Sequence, residues 1–211
     1  IHTAMMRALD LPAEKIIVWD REDKHMEKSG YTVGKIDGVL YTGVNGDWED
    51  EPSDIHDCKG RLAKILTQKI TALVNVPILK THVLAGVTCS LKNHYGSFHN
   101  PRDAHGGRGG RRLGLARALT LKPRLIVADV LRPVGNRGPQ ARPRHTFDAK
   151  AMMASLDPVA LDTVGMTMLD AWRAEQKMPS LQETGSAVSI AAAAEKGLGV
   201  GDMGKIEIVE V

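Results

Sequence analysis

The sequence predicts a layered α/β fold, with a mainly parallel or mixed sheet flanked by helices. Two observations carry this expectation. Three short apolar runs rich in β-branched residues, Lys15 to Trp19, Ala72 to Val76 and Arg124 to Val130, read as buried strands and are separated by helix-like segments. The segment Pro158 to Glu175 then repeats apolar residues at helical spacing (Val159, Leu161, Val164, Met168, Leu169), enough to cover one face of such a sheet.

Taken in order, Thr3 to Leu9 reads as a helix end and Leu11-Pro12-Ala13-Glu14 as a turn into the first strand. Glu22 to Ser29 is a short polar helix stopped by Gly30. Thr32 to Pro52, rich in Gly and Asp, predicts hairpins or loops. Lys59 to Lys69 predicts a helix with Leu62, Ile65 and Leu66 on one face, and Pro77 closes the second strand. Leu84 to Asn93 and Arg111 to Leu119 read as further helices. Met152 to Ser155 is a short strand or turn. Asp157 before Pro158 is an N-cap followed by proline at the first helical position. Ala187 to Lys196 predicts a helix ended by Gly197, and Lys205 to Val211 alternates like an edge strand. One α/β domain over residues 1–211 is expected, without an internal repeat. A chain that opens on Ile1 and enters directly into a helix is expected to be N-terminally incomplete, so its compartment stays open.

Aromatic residues make up only 4% of the chain, which argues against a stacking platform for single-stranded nucleic acid. The net charge of +3 is unevenly spread: Arg102 to Arg144 holds eleven Lys and Arg against Asp103 and Asp129. That stretch reads as a solvated basic loop or as a docking loop for an anion or acidic partner; without a nucleic-acid-binding motif, nucleic acid is the weaker reading. No apolar run is long enough to span a membrane. Cys58 and Cys89 show no CxxC spacing. Iron–sulfur clusters normally need four thiolates, so no cluster is expected in this chain, and Cys89 reads as a buried, inert thiol.

The densest polar constellation is Lys80-Thr81-His82, then Lys92-Asn93-His94, then His99 and His105, a window that holds four of the eight histidines. It follows a buried strand, where open α/β sheets gather their ligands. Lys80, Lys92 and Asn93 are therefore candidates to bind a carboxylate or phosphate. His82 and His105 are candidates for acid–base work or metal ligation, and Asp129, at the next strand end, is a candidate to orient or ligate. His94, His99 and His105 match no zinc signature but leave room for a divalent metal. Gly138, in the turn Asn136 to Pro139, reads as a backbone wall that a ligand can approach closely. Ser155 joins Asp157 and Asp162 in a second group, in which Asp157 caps the helix and Asp162, one turn on, is positioned to face the cleft. Neither a phosphate loop nor a nucleophile elbow is present; Gly197 to Gly201 resembles a dinucleotide loop but follows a helix, the wrong context.

On these residues the chain resembles the family known as domain of unknown function 362. The matching segments are Val74-Asn75-Val76-Pro77 through Lys80-Thr81-His82, Val87-Thr88 with Leu91-Lys92-Asn93 and Gly96, and His105. Asp129, Gly138-Pro139, Ser155 through Asp157-Pro158-Val159-Ala160, Asp162, and Gly197-Leu198-Gly199 with Ile206-Glu207 continue the likeness. The resemblance implies membership without a reaction. Some members are joined to ferredoxin-like iron–sulfur modules; this chain has no Cys-rich module. The leading expectation is an enzyme or enzyme-like domain for a small anionic ligand, with or without a metal ion. Its rivals are a redox-accessory module beside an iron–sulfur partner protein, and an interaction protein using the basic loop.

Overall fold

The computed structural model describes residues 2–55, 58–83, 85–101, 123–184 and 188–211. Its first layer is a small sheet in the order β1-β3-β2, formed by β1 (Ile17–Asp20), β2 (Gly34–Ile36) and β3 (Val39–Gly43). The β2–β3 hairpin turns on Asp37 and Gly38, both at positive φ, which matches the right-handed strand twist. β1 and β3 run parallel. Helix α1 (His2–Leu9) precedes this sheet and α2 (Asp23–Lys28) follows β1. A small core of Val44, Ala63, Ile65, Leu66 and Leu73 lies below, packed against Ile17, Trp19 and Trp48.

The expected helix from Lys59 to Lys69 is mostly absent. β4 (Ser53–Ile55) and β5 (Cys58–Gly60) form a two-stranded ribbon, and only Ile65–Lys69 coils, as one wide π-type turn. Pairing explains this: Leu62 bridges Phe98, Ala63 bridges Trp48, and Glu49 exchanges hydrogen bonds with Leu62. Backbone groups committed to a partner strand cannot serve a helix ladder.

The main sheet runs β10-β9-β7-β8, with β6 also beside β9. Its strands are β6 (Val74–Asn75), β7 (Ile78–His82), β8 (Gly86–Thr88), β9 (Leu125–Val134) and β10 (Ala151–Ser155). Pro77, which has no N–H to donate, separates β6 from β7. β6 and β7 are parallel to β9, whereas β8 and β10 are antiparallel to their neighbours, so the sheet is mixed. The fold is α/β, as the strand–helix alternation predicts.

The expected helix from Leu84 to Asn93 resolves instead into the edge strand β8 and a single turn, α3 (Ser90–Asn93). Gly86 takes a positive φ, and the β-branched pair Val87-Thr88 then favours the strand. The C-terminal segment also departs from expectation. Met203–Lys205 forms a 3-10 turn, and the residues after it pair with no strand among the described residues. Alternation alone does not make a strand; a ladder partner is needed.

Helix α4 (Pro158–Glu175) covers one face of the main sheet. Leu79 of β7 and Ile126, Ala128 and Val130 of β9 point into it and meet Val159, Leu161 and Leu169, all buried. Each of these Leu, Ile and Val side chains contributes roughly 1.5–3 kcal/mol on burial, and Ala128 less. Gly165 lets the helix sit close: a Cβ there would lie 2.8 Å from Leu79 Cδ1. Asp157 caps α4, its Oδ1 accepting from the N–H groups of Val159 (2.8 Å) and Ala160 (2.9 Å). Helix α5 (Val188–Glu195) packs on α4 and ends as expected at Gly197, with Leu198 N–H donating to Ala193 and Gly197 N–H to Ala194.

Strand alternation sends Ile78, Lys80 and His82 of β7 to the opposite face, together with Leu131 and Asp129 of β9 and Met152 of β10. Ile78, Leu131 and Met152 are at least half exposed there. No described helix is long and apolar enough to cross a membrane.

Candidate functional site

The turn from β8 into α3 carries polar groups in two directions. Lys80 pairs in register with Thr88 across the antiparallel β7–β8 ladder, so their side chains rise from the same face, with Cβ atoms about 5 Å apart. Thr88 is buried, and its Oγ1 has no hydrogen-bond partner among the described residues. Four residues on, the Lys92 ammonium lies over the Tyr95 ring, 4.4 Å from its centroid. Burial first, then repulsion from Lys80, lower the Lys92 pKa to about 8. Among the described residues no carboxylate pairs with either lysine. The result is two mutually repelling cations, one of them in register with a buried hydroxyl that no described residue satisfies, an arrangement that an anion would stabilise.

The other direction is closed. Asp162 of α4 is buried and accepts from the N–H groups of Ser90 (2.7 Å) and Leu91 (3.1 Å), the first turn of α3. Burial pushes its pKa up to about 7, against the pull of these donors and of the Cys89 thiol. The thiol is itself held well above its ordinary value by burial and by Asp162. Asp162 therefore does not face an open cleft; it is the cap of α3. Asn75 completes the clamp, donating to Ser90 O (3.0 Å) and Oγ (3.1 Å) and accepting from Asn93 Nδ2 at 2.7 Å.

Of the sequence-derived candidates, Lys80 and Lys92 come together. His82 shares the Lys80 face, and its Nδ1 accepts the Ala85 N–H at 3.2 Å, so the neutral ring carries its proton on Nε2. Asp129 lies on the same face one strand away, opposite Ile78, its carboxylate accepting the Leu131 N–H at 2.9 Å. Asn93 is engaged with Asn75. Gly138 packs on β7 itself: its N–H donates to Thr81 Oγ1 at 3.0 Å, and a Cβ would collide with the Thr81 carbonyl. The close approach that this glycine permits is thus used by the chain's own backbone. Ser155 Oγ accepts the Asp157 N–H at 2.9 Å, in the start of α4. His105, the helix expected from Arg111 to Leu119, the Cys58 side chain and the first half of the basic stretch lie outside the described residues.

Among the described residues no three His, Cys, Asp or Glu side chains converge as a metal ion would need. His94 is buried and neutral, its pKa lowered to about 4 by burial, with Nδ1 3.3 Å from Ser97 Oγ and Nε2 without a hydrogen-bond partner among the described residues. A concavity of about 380 Å³ lies on the small sheet and is lined by Arg21, Glu22, Asn45, Gly46 and Trp48. Its guanidinium is already committed: Arg21 donates to the Phe98 and His99 carbonyls and stacks 5.0 Å over Trp48. Thr88 is the site group that residue-by-residue reading missed, because reading the segment as a helix removed its strand register with Lys80.

A family model described as Domain of unknown function (DUF362) matches residues 5–167. The chain belongs to this family. The DUF362 match spans both sheets, the Lys80–Thr88–Lys92 corner and Asp162, and ends within α4. No curated protein and no solved structure gives a significant match.

Proposed function

We propose that this DUF362 chain binds a small anionic ligand, a carboxylate or phosphate, at the corner formed by Lys80, Thr88 and Lys92, as an enzyme or enzyme-like domain. The observation that carries this reading is the orphaned Thr88 hydroxyl, buried in register with one unpaired lysine and four residues from another. A buried hydroxyl without a partner costs stability, and like charges gathered without a counter-charge cost more. An anion would relieve both: it would accept from Thr88 Oγ1 and pair with the two ammonium groups. His82 and Asp129 lie on the same face of the sheet, near enough in the ladder to contact the rest of a ligand seated there.

Titration with inorganic phosphate or acetate at low ionic strength, followed by amide NMR, tests the reading. Saturable shifts centred on residues 86–93, weakened at least tenfold by Lys80→Ala, are expected. Weak shifts scattered over the basic surface, indifferent to Lys80→Ala, would overturn it.

A further inference from the structure

The main sheet and residues 206–211 each lack what the other supplies. β10 is an outer strand of that sheet: one edge pairs with β9, and the other carries no strand among the described residues. Sheets usually protect such an edge with charges, proline or a bulge. β10 (Ala-Met-Met-Ala-Ser) has neither charge nor proline, and it pairs with β9 residue for residue, without a bulge. Met152 and, just past the strand, Leu156 are exposed beside it. Residues 206–211 show the reverse. Ile-Glu-Ile-Val-Glu-Val is β-branched at four of six positions, a composition that favours strands. Ile206 is already extended (φ −100°, ψ 121°), yet the segment joins no sheet among the described residues, and Ile208, Val209 and Val211 are exposed. We infer that residues 206–211 are a strand that adds to the β10 edge of a second copy of this chain, which adds its own segment in return.

A second copy is the fitting occupant because donor strand and acceptor edge occur on one molecule. A twofold exchange then closes both edges and leaves neither strand free. The two features also share one end of the molecule: Asp157, two residues after β10, accepts the Val200 N–H at 2.8 Å, so the chain sets out toward Ile206 from the end of β10. A strand of this length spans about 20 Å, enough to cover the five residues of β10. The charges agree: Lys150, directly before β10, is exposed, and the added strand brings only acids, Glu207 and Glu210. Ladder hydrogen bonds would supply the affinity, as in other cases of strand addition, and the apolar side chains the fit. The anion corner lies at the opposite, β7–β8, edge of the sheet, so this inference does not depend on it.

Sedimentation combined with hydrogen–deuterium exchange tests the inference. The full chain should sediment as a dimer, with the amides of 206–211 and the outward amides of 151–155 protected. Alternate N–H groups of an added strand face its partner, so at least one of Ile208→Pro and Val209→Pro removes a ladder donor. That variant should weaken the dimer at least tenfold and release both sets of amides. Its circular dichroism should match the wild type, because residues 207–211 make no backbone hydrogen bond among the described residues. On the acceptor side, Met152→Glu should also weaken the dimer, by setting an acid against Glu207 and Glu210. A wild-type chain that stays monomeric at every concentration overturns the inference. So does a dimer that persists in both proline variants, or protection of 206–211 in a monomer, which would place the strand within its own copy.

Discussion

Two polar arrangements flank Cys89, and they are built on opposite rules. On one side, Asp162 meets the Ser90 and Leu91 N–H groups and the Asn75–Ser90–Asn93 clamp closes around them, so that this buried carboxylate is satisfied from within the chain. On the other side, among the described residues the Thr88 hydroxyl has no hydrogen-bond partner and Lys92 has no carboxylate, only the Tyr95 ring. The contrast separates structure from function. A finished network holds the turn in place, and the unfinished corner that it positions is where a ligand gains most. Substitutions should therefore act on stability at the finished side and on binding at the unfinished side.

The largest stability effect is expected at Asp162. Asp162→Ala leaves two buried N–H groups without an acceptor and should cost about 2–4 kcal/mol in denaturant melts. The pH dependence sharpens this. The folded pKa, about 7, lies above the unfolded value of about 3.9, so the folded state keeps the proton between them. The stability this group contributes is full below about pH 4 and is lost as pH rises through about 7. Asp162→Asn should flatten that slope; an unchanged slope would remove Asp162 from the account.

A smaller loss is expected at Asp157. Its Oδ1 caps α4 and its Oδ2 accepts the Val200 N–H at 2.8 Å, tying the chain after α5 to the start of α4. Asp157→Ala should cost about 1–2 kcal/mol. A melt without loss would show that this carboxylate is not a structural tie, and would move it to the binding side of the comparison.

The division between the two sides also decides what the sequence could show. α4 was legible because its cap, its proline and its apolar stripe are all local. β1 and β9 were legible as apolar, β-branched runs, and Lys80 and Lys92 were legible as charges after a strand. The segment Leu84 to Asn93 was not, because its apolar residues suit both periods, and the outcome depends on Gly86 turning the chain back along β7. Losing β8 meant losing the Lys80–Thr88 register, and with it the orphaned hydroxyl. Asp162 was placed facing a cleft because its partners, Ser90 and Leu91, lie more than seventy residues away and no local pattern encodes that contact. Gly138 and Asn93 read as ligand-binding groups for a similar reason: the contacts that occupy them, Thr81 and Asn75, are made only when β7 and α3 pack.

The smallest stability effect and the most direct test coincide at Thr88. Thr88→Val keeps the shape and removes only a hydroxyl that nothing among the described residues satisfies. The expected result is a folding stability unchanged or raised, by up to about 1 kcal/mol, and phosphate affinity at least tenfold weaker, the loss of one hydrogen bond to a charged group. A destabilisation comparable to that of Asp162→Ala, or an unaltered phosphate titration, would contradict it.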